Sequence, residues 1–175
     1  MKELKRFVAI LSLLDRIEDV VGKTFIQKGI YMLQEGLKED LNYDYKLHFY
    51  GPFSQELAND IDALHDMELI TMEYNMEGYG YKIRISKKGK KFLRHMEDRG
   101  INISNEKISK ILSLLEGEFV KRMELLGTTL YFAKLTNDED EIRKLVNIVK
   151  PHFNDDEIKE AFKKLREEGM IKEHR

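Results

Sequence analysis

The stretch GPFSQELANDIDALHDMELITMEYNMEGYGYKIRISKKGKKFLRHMEDR, residues 51–99, carries two structural periods and two opposed charges. Leu57, Ile61 and Leu64 recur at helical spacing behind Ser54, a natural N-cap, which predicts a helix running to about Met67. Gly51-Pro52 is expected to introduce that helix, since proline fixes a φ suited to a first turn. Ile70, Met72 and Tyr74 then alternate with Thr71, Glu73 and Asn75, and Tyr81, Ile83 and Ile85 alternate with Lys82, Arg84 and Ser86. Gly78 and Gly80 in the loop between them tolerate the positive φ of a hairpin, so a two-stranded wing is predicted. A basic helix follows from near Ser86 and ends at Gly100.

Upstream, Leu4, Phe7, Val8, Leu11 and Leu14 mark a first helix, and Ile26, Ile30, Leu33 and Leu37 a second, after a break around Val21–Lys23. Tyr43, Tyr45, Leu47 and Phe49 share one face of a half-buried strand. Helix, helix, strand, helix and hairpin is the order of a winged-helix domain. The expected fold is therefore mainly α with a small antiparallel β wing: a winged-helix domain over residues 1–100 and a helical region over 101–175. In the second region Ile108–Leu115, Phe119–Leu130, Ile142–Val149 and Ile158–Leu165 give four apolar stripes. Asn154 with Glu157 reads as a capping box, and Lys150-Pro151 as a helix stop.

Charge is distributed unevenly along this pattern. Residues 51–81 hold seven acids (Glu56, Asp60, Asp62, Asp66, Glu68, Glu73, Glu77) and no Lys or Arg. Residues 82–99 hold eight cations (Lys82, Arg84, Lys87, Lys88, Lys90, Lys91, Arg94, Arg99) against Glu97 and Asp98. The helix in the recognition position has the wrong sign for phosphates, and its neighbour has the right one. Because the whole chain sums to −2, nucleic-acid contact must come from a patch rather than from a general positive field.

With no cysteine the chain has neither a disulfide framework nor a thiolate site, which suits a reducing cytoplasm. The apolar run Phe7–Leu14 is too short to span a bilayer, and Asp15, Arg16, Glu18 and Asp19 follow it at once, so no signal peptide and no membrane association are expected. Gly22-Lys23-Thr24 lacks the earlier glycine and the preceding strand of a phosphate loop. His48, His65, His95, His152 and His174 have no metal-ligand spacing. No nucleophile and base stand together either, so a non-catalytic protein without cofactor or metal is expected. Among the aromatic residues, Tyr43, Tyr45, Phe49, Tyr74 and Tyr81 are expected to face inward, and Tyr79 at the wing tip outward.

Three segments carry a family resemblance: Gly22–Gln34 (GKTFIQKGIYMLQ), Phe49–Leu57 (FYGPFSQEL) and the wing ending in RISKKGKKFL. Together they resemble the YwgA-like winged-helix proteins and, more distantly, the Panacea (SocA-like) antitoxin domain. On that resemblance Gln27, Lys28 and Tyr31 carry a helix motif, and Tyr50, Gly51, Pro52, Ser54 and Leu57 a turn motif. YwgA-like proteins mostly lack an assigned activity, and Panacea domains act by binding a partner toxin. The resemblance therefore implies binding rather than catalysis.

Two binding functions follow as expectations. One is a regulator that contacts the nucleic-acid backbone, weakly and without base reading, through Lys82, Arg84, Lys87, Lys88, Lys90, Lys91 and Arg94. The other is an antitoxin-like protein-interaction module that does not bind DNA and uses Gln55, Glu56, Asn59, Asp60, Asp62 and Asp66 on the third helix. The opposed charge blocks also suggest a symmetric homodimer.

Overall fold

A computed structural model describes residues 1–19, 21–77 and 80–172. Helix α1 (Lys2–Asp15) is followed by α2 (Lys23–Tyr31), which continues into a π-helical turn at Met32–Gly36. Strands β1 (Lys46–His48) and β2 (Gly51–Phe53), helix α3 (Gln55–Asp66), the hairpin β3 (Ile70–Asn75) and β4 (Gly80–Ile85), and α4 (Lys87–Asp98) complete the first hundred residues. Four helices follow: α5 (Asn105–Leu115), α6 (Val120–Ala133), α7 (Glu139–Val149) and α8 (Asp155–Glu167). The chain is thus mainly helical with two small antiparallel sheets. Among the described residues no helix is long and apolar enough to cross a membrane.

Local chemistry sets the helix boundaries. The Ser54 hydroxyl accepts from the Leu57 amide at 3.3 Å and the Ser86 hydroxyl from the Gly89 amide at 2.9 Å, each quieting one free donor of a first turn. Asn154 and Glu157 form the reciprocal capping box, and α7 stops at Val149, ahead of Pro151.

The first hairpin departs from the sequence expectation. Gly51-Pro52 does not open α3; it lies in β2, with Leu47 opposite Pro52 and His48 opposite Gly51. The strand expected over Tyr43–Phe49 is confined to Lys46–His48, because the backbone of Tyr43 is bonded to a side chain of the preceding helix instead.

The second hairpin follows the alternation, in register from Ile70 opposite Ile85 to Asn75 opposite Gly80. Val21, between α1 and α2, adds two antiparallel backbone bonds to Ile83, at 3.0 and 2.8 Å. Ile70 and Ile83 are buried, but Tyr74 and Tyr81, expected inward, are exposed. Their end of the ladder extends past the core, and the two rings pack edge to face on each other at 5.4 Å. Gly78 and Tyr79 at the wing tip lie outside the described residues, as does His174.

Both parts of the chain contribute to one apolar core, in which Leu11, Ile26, Ile61 and Leu64 are buried together with Ile108, Leu126, Leu130 and Phe162. Helix α2 is central and touches α1, α3, α5 and α6. Gly29 permits this closeness: a Cβ there would lie 2.7 Å from Leu13 Cδ2 and 3.4 Å from Ile111 Cγ2.

Candidate partner-binding site

The segment between α2 and α3 is stitched to α2 by side chains. Gln27 Nε2 donates to the Ser54 carbonyl at 2.9 Å, while Gln27 Oε1 accepts from the Ser54 amide at 3.0 Å. Gln34, one heptad further along, treats Tyr43 the same way, at 2.9 and 2.8 Å. Each glutamine amide thus stands in for a missing β-strand partner and satisfies two backbone groups at once. Tyr31 is buried and meets the Tyr45 ring edge-on at 4.8 Å, and burial raises both phenols above their ordinary pKa. The Tyr43 hydroxyl donates to Asp60 at 2.6 Å, and the Arg6 guanidinium lies 4.2 Å over the Tyr43 ring.

Two buried ammonium groups grip the turn itself. Lys28 is 2% exposed and donates to the Pro52 carbonyl at 2.6 Å. Burial pulls its pKa down to about 8; the charge of Glu124 opposes that shift, and the charge of Lys150 adds to it. Lys150, at the end of α7, donates to the Phe49 carbonyl and pairs with Glu124 of α6 at 2.6 Å. Both partners of that pair are buried. The turn is therefore held on one side by residue 28 and on the other by residue 150.

Glycine is required at the centre of this arrangement. Gly51 has φ +92°, and a Cβ there would lie 3.2 Å from both Lys28 Cε and Thr128 Oγ1. Gly127 of α6 is equally confined, with a Cβ falling 3.1 Å from Lys28 Cδ and 3.2 Å from Pro52 Cδ.

This buried machinery displays aromatic surface. Phe49, expected to face inward, is 81% exposed, because it lies beyond the last paired residue of β1, where the strand alternation no longer applies. Tyr50 is 56% exposed and packs edge-on to Phe49 at 5.2 Å. Phe119 and Val120 at the start of α6 and Val149 at the end of α7 are exposed as well. The Phe49–Tyr50 ridge parts two hollows, of about 270 Å³ towards α2 and about 620 Å³ towards α6 and α7.

Of the motif residues, Gln27, Lys28, Tyr31, Gly51, Pro52, Ser54 and Leu57 build and support the turn, whereas Tyr50 is presented to solvent. The acids of α3 are largely engaged within the molecule. Glu56 accepts from the Asp44 amide at 3.3 Å and lies 3.5 Å from Arg6. Asp62 lies 3.8 Å from Lys23, and Asp60 carries the Tyr43 bond. Gln55 donates to Asn59 at 3.0 Å, and Asp66 is exposed.

The basic residues Lys82, Arg84, Lys87, Lys88, Lys90, Lys91 and Arg94 are all exposed. Lys88 pairs with Glu68 at 3.3 Å and Lys90 with Asp15 at 3.9 Å, and the other five have no ion pair among the described residues.

No family model matches the chain. Over 170 residues it is 22% identical to the uncharacterized protein YwgA of Bacillus subtilis (strain 168), an alignment that spans 96% of this chain and 99% of that protein. The similarity extends through both the first hundred residues and the helical remainder, in keeping with the resemblance to YwgA-like proteins.

Sequence reading missed Gln34, Glu124 and Lys150. Gln34 carries the same signal as Gln27 at a heptad spacing. Lys150 read as the residue before a helix-stopping proline, and nothing local links it to a turn 101 positions earlier. His48 and His152 both border the larger hollow, and among the described residues no three His, Asp or Glu side chains converge as metal ligands.

Proposed function

We propose that this chain is a non-catalytic winged-helix regulatory module that acts by binding a partner protein through the Phe49–Tyr50 ridge. One observation carries the reading: two large aromatic side chains stand in solvent on a turn fixed from beneath by buried Lys28 and Lys150. Exposed aromatics on a rigid support match the anchors of protein interfaces, where little ordering entropy remains to be lost on binding. The winged-helix assignment draws support from Val21, which stands between helices one and two as a first wing strand, leaving β1–β2 as an insertion before the third helix. The distant resemblance to partner-binding Panacea domains rests on these same residues, Lys28, Tyr31 and the Tyr50-Gly51-Pro52 turn.

A second reading, nucleic-acid backbone contact, is favoured by the five exposed cations that have no ion pair among the described residues. It predicts binding that is steep in salt, poor in sequence preference and abolished by converting Lys87, Lys88, Lys90 and Lys91 to Glu. A photo-crosslinking amino acid at position 49, and separately at position 87, in the full chain in its host cell distinguishes the two. A discrete protein adduct from position 49 is the expected result. Adducts to nucleic acid from position 87 with none to protein from position 49 would replace the first reading with the second.

A further inference from the structure

The charges around the ridge specify what kind of segment it holds. Lys23, Lys28, Lys121 and Lys150 border the two hollows, and Glu124 is the one carboxylate among their lining residues. Glu124 is buried and already paired with Lys150. Lys28 and Lys150 are committed to backbone carbonyls, so the cations open to a visitor are Lys121 and Lys23. Lys121 is exposed and has no hydrogen bond or ion pair among the described residues, and Lys23 has only two long contacts, 3.8 Å from Asp62 and 4.5 Å over the Tyr81 ring. Between them stand Phe49 and Tyr50, with Val120 and Val149 on the far wall. The surface therefore offers apolar contact in the middle and positive charge on both flanks.

Resting on the reading of this ridge as a partner site, we infer that its occupant is an extended, acidic stretch of a partner protein. Its carboxylates face Lys121 and Lys23, and one of its apolar side chains seats against Phe49 and Tyr50. Charge complementarity of this kind sets orientation and encounter rate, while the buried aromatic contact supplies most of the affinity. A nucleic acid fits the surface poorly, because two available cations neutralise few phosphates and the walls are apolar. A ridge dividing two open hollows also suits a chain laid across it better than a compact small molecule.

The test uses the full chain and a short fluorescein-labelled peptide alternating Glu with Leu and Phe, followed by fluorescence anisotropy. Two comparison peptides replace every Glu with Lys or with Ser. The Glu peptide is expected to bind saturably and at least about tenfold more tightly than either, with a loss of about tenfold in Lys121→Glu and in Phe49→Ala and none in Lys87→Glu. Both altered side chains are exposed, and circular dichroism checks that each variant is folded. Equal binding of all three peptides, still lost in Phe49→Ala, would overturn the acidic assignment and keep the ridge as a docking site. Indifference of every peptide to Phe49→Ala, or no binding at all, would overturn both. Displacement of the Glu peptide by duplex DNA, or a dimer in sedimentation that Phe49→Ala dissociates, would hand the surface to nucleic acid or to a second copy and likewise overturn the proposal.

Discussion

The molecule holds two hairpins of opposite construction. The wing, β3–β4, is stabilised by its own six-residue ladder, by the two backbone bonds from Val21 to Ile83, and by Ile70 and Ile83 set into the core, so it is held by backbone pairing and apolar burial. The β1–β2 hairpin has three-residue strands and is held from outside, by Gln27, Gln34, Lys28 and Lys150. Both carry exposed aromatic pairs, but among the described residues only the Phe49–Tyr50 pair rests on buried ionic groups. An isolated two-stranded hairpin is barely stable, and these two use different remedies for that weakness.

Removing Lys150 should separate the two constructions most sharply. Lys150→Met leaves the Glu124 carboxylate buried without its partner and should cost about 3–5 kcal/mol, read as a fall in the urea midpoint. Lys82→Met on the wing should leave that midpoint unchanged, since Lys82 is exposed and has no ion pair among the described residues. Adding Glu124→Leu to Lys150→Met should restore most of the loss, because an apolar pair of similar volume replaces the buried ions at little net cost. A single variant as stable as the parent would break the comparison.

A smaller effect is expected at Gln27. Gln27→Leu keeps the volume but leaves the Ser54 amide without a partner, while the Ser54 carbonyl still accepts from the Ala58 amide at 3.1 Å, so the cost should be about 1–3 kcal/mol. Amide exchange at Ser54 should accelerate while exchange along β3 and β4 stays slow. Equal acceleration in both hairpins would show that they open together.

The smallest effect, taken per pH unit, is a slope in pH. Lys28 titrates near 8 in the fold and near its ordinary 10.5 when the chain is unfolded, so between those values the unfolded state holds the extra proton and stability rises with pH. The parent should gain on Lys28→Met across this window by up to about 1.4 kcal/mol per pH unit. Parallel stability curves would show that Lys28 pays no burial penalty.

The wing was legible in the sequence because Ile70, Met72, Ile83 and Ile85 alternate over strands long enough to show a period. Ser54, Ser86 and Asn154 marked their helix starts for a similar reason, since capping depends on neighbours within one turn. The β1–β2 hairpin leaves no comparable signal, because three residues do not establish alternation and Gly51-Pro52 suits a helix entrance as well as a strand. Extending the alternation of Tyr43 and Tyr45 to Phe49 points it inward, but pairing stops at His48, one residue before it. Of the site, Gln27, Lys28 and the turn were visible through the family resemblance, but what they do was not. Their partners, Lys150 and Glu124, come from helices that have no local relation to the turn.

The reach from Phe49 to Lys150 also imposes an order in time. The chain emerges from the ribosome from its N-terminus, so Lys28 is available to the turn from the outset, whereas the ammonium that fastens the other side arrives 101 residues later. Until then the Phe49 carbonyl has only water to bond, and Glu124, once made, waits for its countercharge. A nascent chain that pauses before residue 150 holds the turn by one side alone, and the aromatic ridge becomes fixed only once Lys150 has been made.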